Sequence, residues 1–194
     1  MKKGDMTRQH IIAKAAPVFN QRGFAGCSMQ DVMEATGLEK GGLYRHFASK
    51  EELAAEAFGY TLRQAIEARM GGLDQVRGAI PSLRHVVHAF VQVPSPVTGG
   101  CPLMNAAADA DAGSPAIFAL AQNGVAAWKA TLCAILEEGI RAGEIREAVD
   151  PRRIANTVIA LLEGALMISR LEGSREAMRD AQASLDDLLQ GLAR

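Results

Sequence analysis

The sequence is poor in cysteine and in aromatic residues. Its 194 residues include three cysteines, Cys27, Cys101 and Cys133, and only 5% of the residues are aromatic. No two cysteines have the short spacing of a metal-ligand or redox pair, so we predict neither a disulfide framework nor a metal or cofactor site. With hydrophobic residues at 48% and mostly alanine and leucine, the composition favours packed helices over a β-sheet.

Long apolar runs and a large excess of one charge are also missing. No stretch of about 18 apolar residues occurs, and residues 1 to 5 have no apolar signal core. We therefore expect a soluble, cytoplasmic protein with no membrane partner. The net charge of −1 excludes a strongly basic nucleic-acid coat, but residues 1 to 50 hold eight Lys or Arg against four Asp or Glu. Such a locally basic end suits selective attraction of phosphate.

Helix signals are densest in the first quarter of the chain. Apolar residues recur on one helical face at Ile11, Ile12, Ala15, Ala16 and Phe19, and Thr7 before them is the expected N-cap. Gly23 follows as a stop signal. Ser28 then precedes a short second helix, because its hydroxyl can accept a hydrogen bond from a backbone amide near Gln30 or Asp31. Gly37 can take the left-handed conformation that ends this helix and turns the chain sharply into a third.

The third helix is predicted from Lys40 to Phe47. Leu43 and Phe47 are four residues apart and share an apolar face, and the opposite face carries basic and hydrogen-bonding side chains. Eight helical residues span roughly 12 Å, which is comparable to the width of the major groove of B-DNA. Gly41 and Gly42 are poor helix formers, but they let the backbone approach a base edge or a phosphate closely. This pattern predicts DNA binding.

The segment from Gly37 to Leu53 resembles the DNA-binding region of the TetR family of transcriptional regulators, as do Thr7-Arg8 and the segment from Phe19 to Phe24. The match covers about a quarter of the chain. It implies an all-α fold of about nine helices in two parts. Residues 1–50 would form a three-helix helix-turn-helix DNA-binding domain, and residues 51–194 a helical domain for effector binding and dimerisation.

The same resemblance assigns DNA contacts. Residues matching Ser28 and Gln30 touch phosphates, those matching Lys40 and Gly41 face bases, and those matching Tyr44, His46 and Lys50 hold phosphates. Together with the other members of the third-helix surface, the predicted DNA-binding residues are Ser28, Gln30, Lys40, Gly41, Gly42, Tyr44, Arg45, His46 and Lys50.

A ligand-responsive dimer is also implied by the resemblance. It implies a repressor that binds a palindromic double-stranded DNA operator as a homodimer and is released by a small, largely apolar effector. The last two predicted helices carry apolar stripes that could form a four-helix interface, or could instead fill the core of one subunit. The stripes are Ile154, Val158, Leu161, Leu162, Ala165 and Ile168, and then Leu185, Leu188, Leu189 and Leu192.

The resemblance also implies an effector pocket among helices four to seven. Aromatic, methionine, histidine and cysteine side chains of these helices are the candidates, although an apolar side chain at helical spacing is more often part of a core. The predicted ligand-binding residues are His85, His88, Phe90, Cys101, Met104, Phe118 and Trp128.

Cys101 supports two alternative functions. It precedes Pro102 at a predicted helix N-terminus, where the helix dipole favours the thiolate, so the chain could be a thiol-based sensor of electrophiles or oxidants. A helical thiol enzyme with His85 or His88 as base is the second alternative. A buried structural thiol explains the same residue. Because no catalytic motif accompanies the thiol, we predict that the protein is not an enzyme.

Overall fold

The computed structural model describes residues 3–109 and 114–194, and this part of the chain is helical. It contains one 3-10 turn at Leu73–Gln75, one isolated β-bridge between Ile145 and Ala193, and no strand. The α-helices are α1 Lys3–Gly26, α2 Met29–Thr36, α3 Lys40–Tyr44, α4 Lys50–Met70, α5 Ala79–Gln92, α6 Pro102–Ala108, α7 Pro115–Arg141, α8 Pro151–Glu172 and α9 Glu176–Gln190. The predicted all-α fold is confirmed.

The chain divides into two compact units. The first unit comprises Met1–Ile66 and Ser95–Gly124, and the second comprises Glu67–Pro94 and Val125–Arg194. This geometric division differs from the functional division predicted at residue 50, because the segment around α6 groups with the N-terminal helices. The assignment of DNA binding to residues 1–50 and effector binding to residues 51–194 stays a prediction.

The helix-turn-helix forms in the first unit from the predicted cap and turn. The Ser28 hydroxyl accepts from the Asp31 amide at 3.2 Å, and the Asp31 carboxylate accepts from the Ser28 amide at 2.7 Å, which makes a capping box at the start of α2. Gly37, at φ 69°, ends α2 and donates its amide to the Met33 carbonyl. Both predictions are confirmed.

Helix α3 is shorter than predicted. It ends at Tyr44 instead of Phe47, so its axis is about 7.5 Å long rather than 12 Å. The residues beyond Tyr44 impose this early end, because the His46 carbonyl accepts from the Arg8 Nε at 3.3 Å and Ser49 caps α4 by accepting from the Glu52 amide at 3.2 Å. The chain must therefore leave the helix within two residues of Tyr44.

Helix α1 also differs from the prediction at both ends. It begins at Lys3, four residues before the expected cap Thr7. Gly23 is a break, with φ 72° and ψ 172°, but one more turn continues through Gly26. The break turns the end of α1 toward α2.

One apolar core holds the first unit together. It excludes water from the inward faces of the first four helices, and its largest fully buried side chains are Ile11, Val32, Leu43 and Leu53. Because Leu43 is anchored in this core, the opposite face of α3 is directed outward.

The second unit has its own core, in which α5, α8 and α9 pack on one another. Asp150 caps α8 by accepting from the amides of Arg152 and Arg153. The apolar stripe of α9 fills this core, since Leu185, Leu189 and Leu192 are buried and Leu188 packs against them. For α9, the interpretation as subunit core is therefore right.

Helix α8 has a second apolar face that the core does not cover. Leu161, Met167, Ile168 and Leu171 are exposed, with Leu171 at 82%. By length and composition alone α8 could cross a membrane. However, its other face, including Ile154, Val158 and Leu162, is part of the core, so we take it as a helix of the globular fold.

Candidate DNA-binding surface and effector site

The outward face of α3, with the residue that follows it, carries four of the nine predicted DNA-binding residues. Lys40, Gly41, Tyr44 and Arg45 are exposed, and the Tyr44 side chain keeps 43% of its surface. The Lys40 ammonium lies 5.9 Å from the centroid of the Tyr44 ring, a cation–π distance. This face therefore offers two cations, one phenol and a glycine backbone within a single turn and a half of helix.

Gly42 and His46 are less exposed to solvent than these four residues. Gly42 is half-buried, and a Cβ atom added to it would lie 3.6 Å from the Leu38 Cβ, so this position faces the preceding turn. His46 is also half-buried, and its carbonyl accepts from the Arg8 Nε at 3.3 Å. A DNA contact from His46 would have to come from the outer edge of its ring.

Arg8 fixes the turn between α3 and α4. Its guanidinium donates to the carboxylates of Glu52, at 2.9 Å, and Glu56, and it lies 4.5 Å from the centroid of the Phe47 ring. The hydrogen bond with Glu56, followed by Glu52, raises the pKa of Arg8 above its ordinary value. From the sequence, Arg8 was recognised only as part of the family resemblance. The available signal for its partners was the spacing of Glu52 and Glu56, two carboxylates four residues apart on α4.

The start of α2 is equally fixed. Gln30 is exposed and donates to Glu34 at 3.2 Å, and the Ser28 hydroxyl donates to Asp31 at 2.7 Å. The hydrogen bonds that the Asp31 carboxylate accepts from the Ser28 amide and the Ser28 hydroxyl lower the pKa of Asp31, and Arg22 adds to the effect. The predicted phosphate contacts of Ser28 and Gln30 are thus presented on a rigid helix N-terminus, which itself attracts anions.

Lys50 lies beside the end of α1. Its ammonium is 4.4 Å from the centroid of the Phe24 ring. The position of this predicted phosphate-holding cation therefore depends on where Phe24 lies.

The predicted ligand-binding residues of the second unit are only partly brought together. Phe90 and Trp128 stack with centroids 5.6 Å apart, and the Arg69 guanidinium covers Phe90 at 4.0 Å. The buried indole Nε1 of Trp128 has no hydrogen-bond partner among the described residues. His85 instead lies 2.8 Å from the Gly71 carbonyl, and His88 is exposed.

The remaining three candidates lie in the first unit. Cys101 is the N-cap of α6 and is fully buried, Met104 is half-buried, and Phe118 is exposed on α7. A fully buried thiol is out of reach of dissolved electrophiles, so the structure offers no support for sensing or thiol catalysis by Cys101. Burial also raises the pKa of the Cys27 and Cys133 thiols, which disfavours their thiolate forms.

A cavity opens within the first unit against the end of α1, and we call it the α1 cavity. The centre of a water-sized sphere can occupy about 50 Å³ of it, and its empty space, including the part open to solvent, is about 540 Å³. Side chains from α1, α4, α6 and α7 line it, together with Asp109 and Ser114, which lie just outside α6 and α7. The aromatic lining residues are Phe19, Phe24, Phe58 and Phe118, and the polar ones are Asn20, Thr61, Asn105, Asp109 and Ser114.

Two polar links join α6 to the end of α1 at this cavity. The Phe24 amide donates to the Asp109 carboxylate at 3.1 Å. The Asn105 side-chain amide donates to the Asn20 carbonyl at 2.8 Å and to the Gly99 carbonyl at 2.9 Å. Of this cavity, sequence reasoning found only Phe118. The spacing of Asn105 and Asp109, four residues apart on one face of α6, was the available signal.

Comparisons with known proteins agree on one family. A model described as "Bacterial regulatory proteins, tetR family" matches residues 11–57, and one described as "Tetracyclin repressor-like, C-terminal domain" matches residues 79–185. The HTH-type transcriptional repressor DhaR of Mycobacterium sp. (strain GP1) is 26% identical over 175 residues, which cover 88% of this chain and 86% of that protein.

Two solved structures match over the whole chain. A TetR family regulator from Cytophaga hutchinsonii is 35% identical with a TM-score of 0.92, and the match covers 100% of this chain and 98% of that one. A TetR transcriptional regulator from Chloroflexus aurantiacus J-10-FL is 36% identical with a TM-score of 0.94, covering 100% and 99%.

Proposed function

Because the chain belongs to the TetR family of transcriptional regulators, and is therefore a DNA-binding regulator and not an enzyme, we propose that it is a ligand-released repressor that binds a palindromic operator as a homodimer. The observation that carries the proposal is the α3 face, where Lys40, Tyr44 and Arg45 are exposed on a helix anchored by the buried Leu43. A soluble, cytoplasmic location fits this role.

DNA contact by α3 and the α2 N-terminus is consistent with the charges of the first 50 residues. Lys40, Arg45 and Lys50 supply cations on or beside α3, and the buried Leu43 and Phe47 hold the backbone beneath them. Because α3 is short, we propose that it enters the major groove with its N-terminal turn, where Lys40 and Gly41 reach base edges and Tyr44 reaches a phosphate.

Dimerisation through α8 is supported by its uncovered apolar face. Leu161 and Ile168 lie on either side of Gly164 along the helix, and a Cβ atom added to Gly164 would meet nothing within 4 Å. The small residue would allow a second copy of α8 to approach closely. A two-fold dimer would place two α3 helices about 34 Å apart, one turn of DNA, to match the two halves of a palindrome.

Release by an effector requires unequal affinities. A small molecule that binds the DNA-incompetent arrangement more tightly than the competent one lowers operator affinity, whereas equal affinity for both changes nothing. Since the α1 cavity borders the end of α1, a ligand there would contact the DNA-binding helices directly.

Replacement of Tyr44 tests the proposal. We expect Tyr44→Ala to weaken binding to the chain's own upstream DNA by about tenfold or more, because a phosphate contact and the partner of Lys40 are lost. Fluorescence anisotropy over a salt series measures this, and the wild type should bind one sequence selectively with a steep salt dependence. Gln9→Ala, an exposed change on α1, is the control.

Two outcomes would contradict the proposed DNA surface. One is a Tyr44→Ala variant that binds the selected DNA as tightly as the wild type. The other is a wild type that shows no preferred sequence in a selection from random duplexes. Circular dichroism of each variant verifies that the helices are intact.

A further inference from the structure

We infer that the α1 cavity is an effector site for small organic cations, in which an ammonium group binds the Asp109 carboxylate and an apolar body lies among phenylalanine rings. This inference rests on the proposed function and adds to it the place of binding and the class of ligand. Of the predicted ligand-binding residues, this site includes Phe118 and leaves out Phe90 and Trp128 of the second unit.

The walls of the cavity suit an apolar body with a positive charge. Phe19, Phe24, Phe58 and Phe118 line it, and an aromatic ring attracts a cation over its face. In the second unit the corresponding place on Phe90 is already taken by the Arg69 guanidinium at 4.0 Å. The Phe90–Trp128 pair therefore has its own cation. Phe24 has Lys50 beside its ring, but no Lys or Arg side chain of the described residues lines the α1 cavity itself.

Asp109 supplies the negative charge. The carboxylate is half-buried, its Oδ2 accepts from the Phe24 amide, and within residues 3–109 and 114–194 it forms no ion pair. A partly buried carboxylate without a cationic partner is poorly stabilised. A ligand ammonium in the cavity would provide the missing partner, and a neutral ligand would not.

Ligand binding in the α1 cavity can affect the proposed DNA-binding surface through a few direct contacts. The Phe24 ring lines the cavity on one side and lies 4.4 Å from the Lys50 ammonium, and the Phe24 amide is bonded to Asp109. A cation that draws Asp109 toward itself competes with that amide and moves Phe24. Lys50, a predicted phosphate contact, moves with the ring, as does the chain leading into the Ser28 cap of α2.

Gly23 shows how closely α1 and Asp109 approach. A Cβ atom at this position would overlap the Asp109 carboxylate, and its φ of +72° is unfavourable for any other residue. The carboxylate is therefore seated directly on the break in α1, so a change at Asp109 is felt by the helix-turn-helix without an intervening side chain.

The test compares cations with neutral molecules of the same shape. Isothermal titration calorimetry would measure the binding of benzyltrimethylammonium against neopentylbenzene, and of phenethylammonium against propylbenzene, to the full chain. We expect the wild type to prefer at least one cation by about tenfold or more, because a charge-assisted contact is gained. Asp109→Asn should lose the preference, and Asp180→Asn, an exposed change on α9, should keep it.

The outcomes are separable. Equal binding of cation and neutral isostere to the wild type, or a preference that survives in Asp109→Asn, overturns the inference. If circular dichroism shows that Asp109→Asn is misfolded, Phe118→Ala replaces it: weaker cation binding supports the cavity site, and unchanged binding overturns it. Operator affinity without any added cation tests the proposed function separately, so that either can fail while the other stands.

Discussion

At the scale of single residues, Arg8 shows how one side chain outside the proposed DNA-binding surface shapes that surface. Its guanidinium joins the carboxylates of Glu52 and Glu56 to the His46 carbonyl and stacks on Phe47. A planar fork of donors can serve these partners at once, whereas a lysine ammonium is a single point. The turn between α3 and α4 is thereby set from α1.

We expect Arg8→Lys to lower the free energy of unfolding by about 1–2 kcal/mol, since several charge-assisted hydrogen bonds are lost at a site that is only partly screened by solvent. Urea unfolding measures the change. Arg63→Lys, on the exposed side of α4, should stay within about 0.5 kcal/mol of the wild type. Equal effects of the two substitutions would show that the Arg8 cluster adds nothing to stability.

At the scale of helices, the capping box of α2 gives stability a defined pH dependence. The hydrogen bonds from the Ser28 amide and hydroxyl, with help from Arg22, lower the pKa of Asp31 in the folded chain. A depressed folded-state pKa stabilises the fold at pH values above the unfolded pKa, about 3.9. The stabilisation is lost as the pH falls through the lower, folded-state value.

We therefore expect wild type and Asp31→Asn to differ most in free energy of unfolding at and above about pH 5, with the wild type more stable, and to converge as the pH falls below about 4. Denaturant unfolding from pH 7 to pH 2 measures the difference. Ser28→Ala should reduce it, because the hydroxyl donor to Asp31 is gone. A gap between wild type and Asp31→Asn that does not change with pH would contradict the lowered pKa.

The elements that could be predicted from sequence are those whose signal is local. Ser28 and Gly37 act on amides and dihedrals within a few residues, and each marks a helix boundary in the structure. The length of α3 could not be predicted, because its end depends on Arg8, whose Nε donates to the His46 carbonyl. Arg8 is 38 residues away from His46 in the sequence.

The candidate site also has one part that could be predicted from the sequence and one part that could not. Exposure of Lys40, Tyr44 and Arg45 could be predicted from helical periodicity once Leu43 was placed in the core. The α1 cavity could not, because Phe19 and Asp109 are separated by 90 residues and meet only through packing of α6 near α1. Periodicity assigns an apolar residue such as Phe19 to the core and says nothing of a cavity beside it.

At the scale of the whole molecule, the exposed apolar face of α8 bears on the proposed dimer. One face of α8 is buried in the core of the second unit, and the opposite face exposes Leu161, Met167, Ile168 and Leu171. A monomer would leave this apolar stripe in water, which is unusual for a stable soluble protein. The leucines of α9 cannot cover this stripe, since they are buried in the core of their own subunit or packed against it.

We expect the double substitution Leu161→Glu with Ile168→Glu to convert a dimer to a folded monomer, because four charges would face one another across the two-fold axis while the subunit core is untouched. Sedimentation velocity measures the mass and circular dichroism the helix content. Operator affinity should fall by about a hundredfold or more, since each monomer then reaches a single half-site. The matched control, Ala126→Glu with Ala130→Glu on the exposed side of α7, adds the same charge and should remain dimeric. A double variant of α8 that sediments as the wild type does would place the dimer interface elsewhere and leave the exposed stripe without a partner.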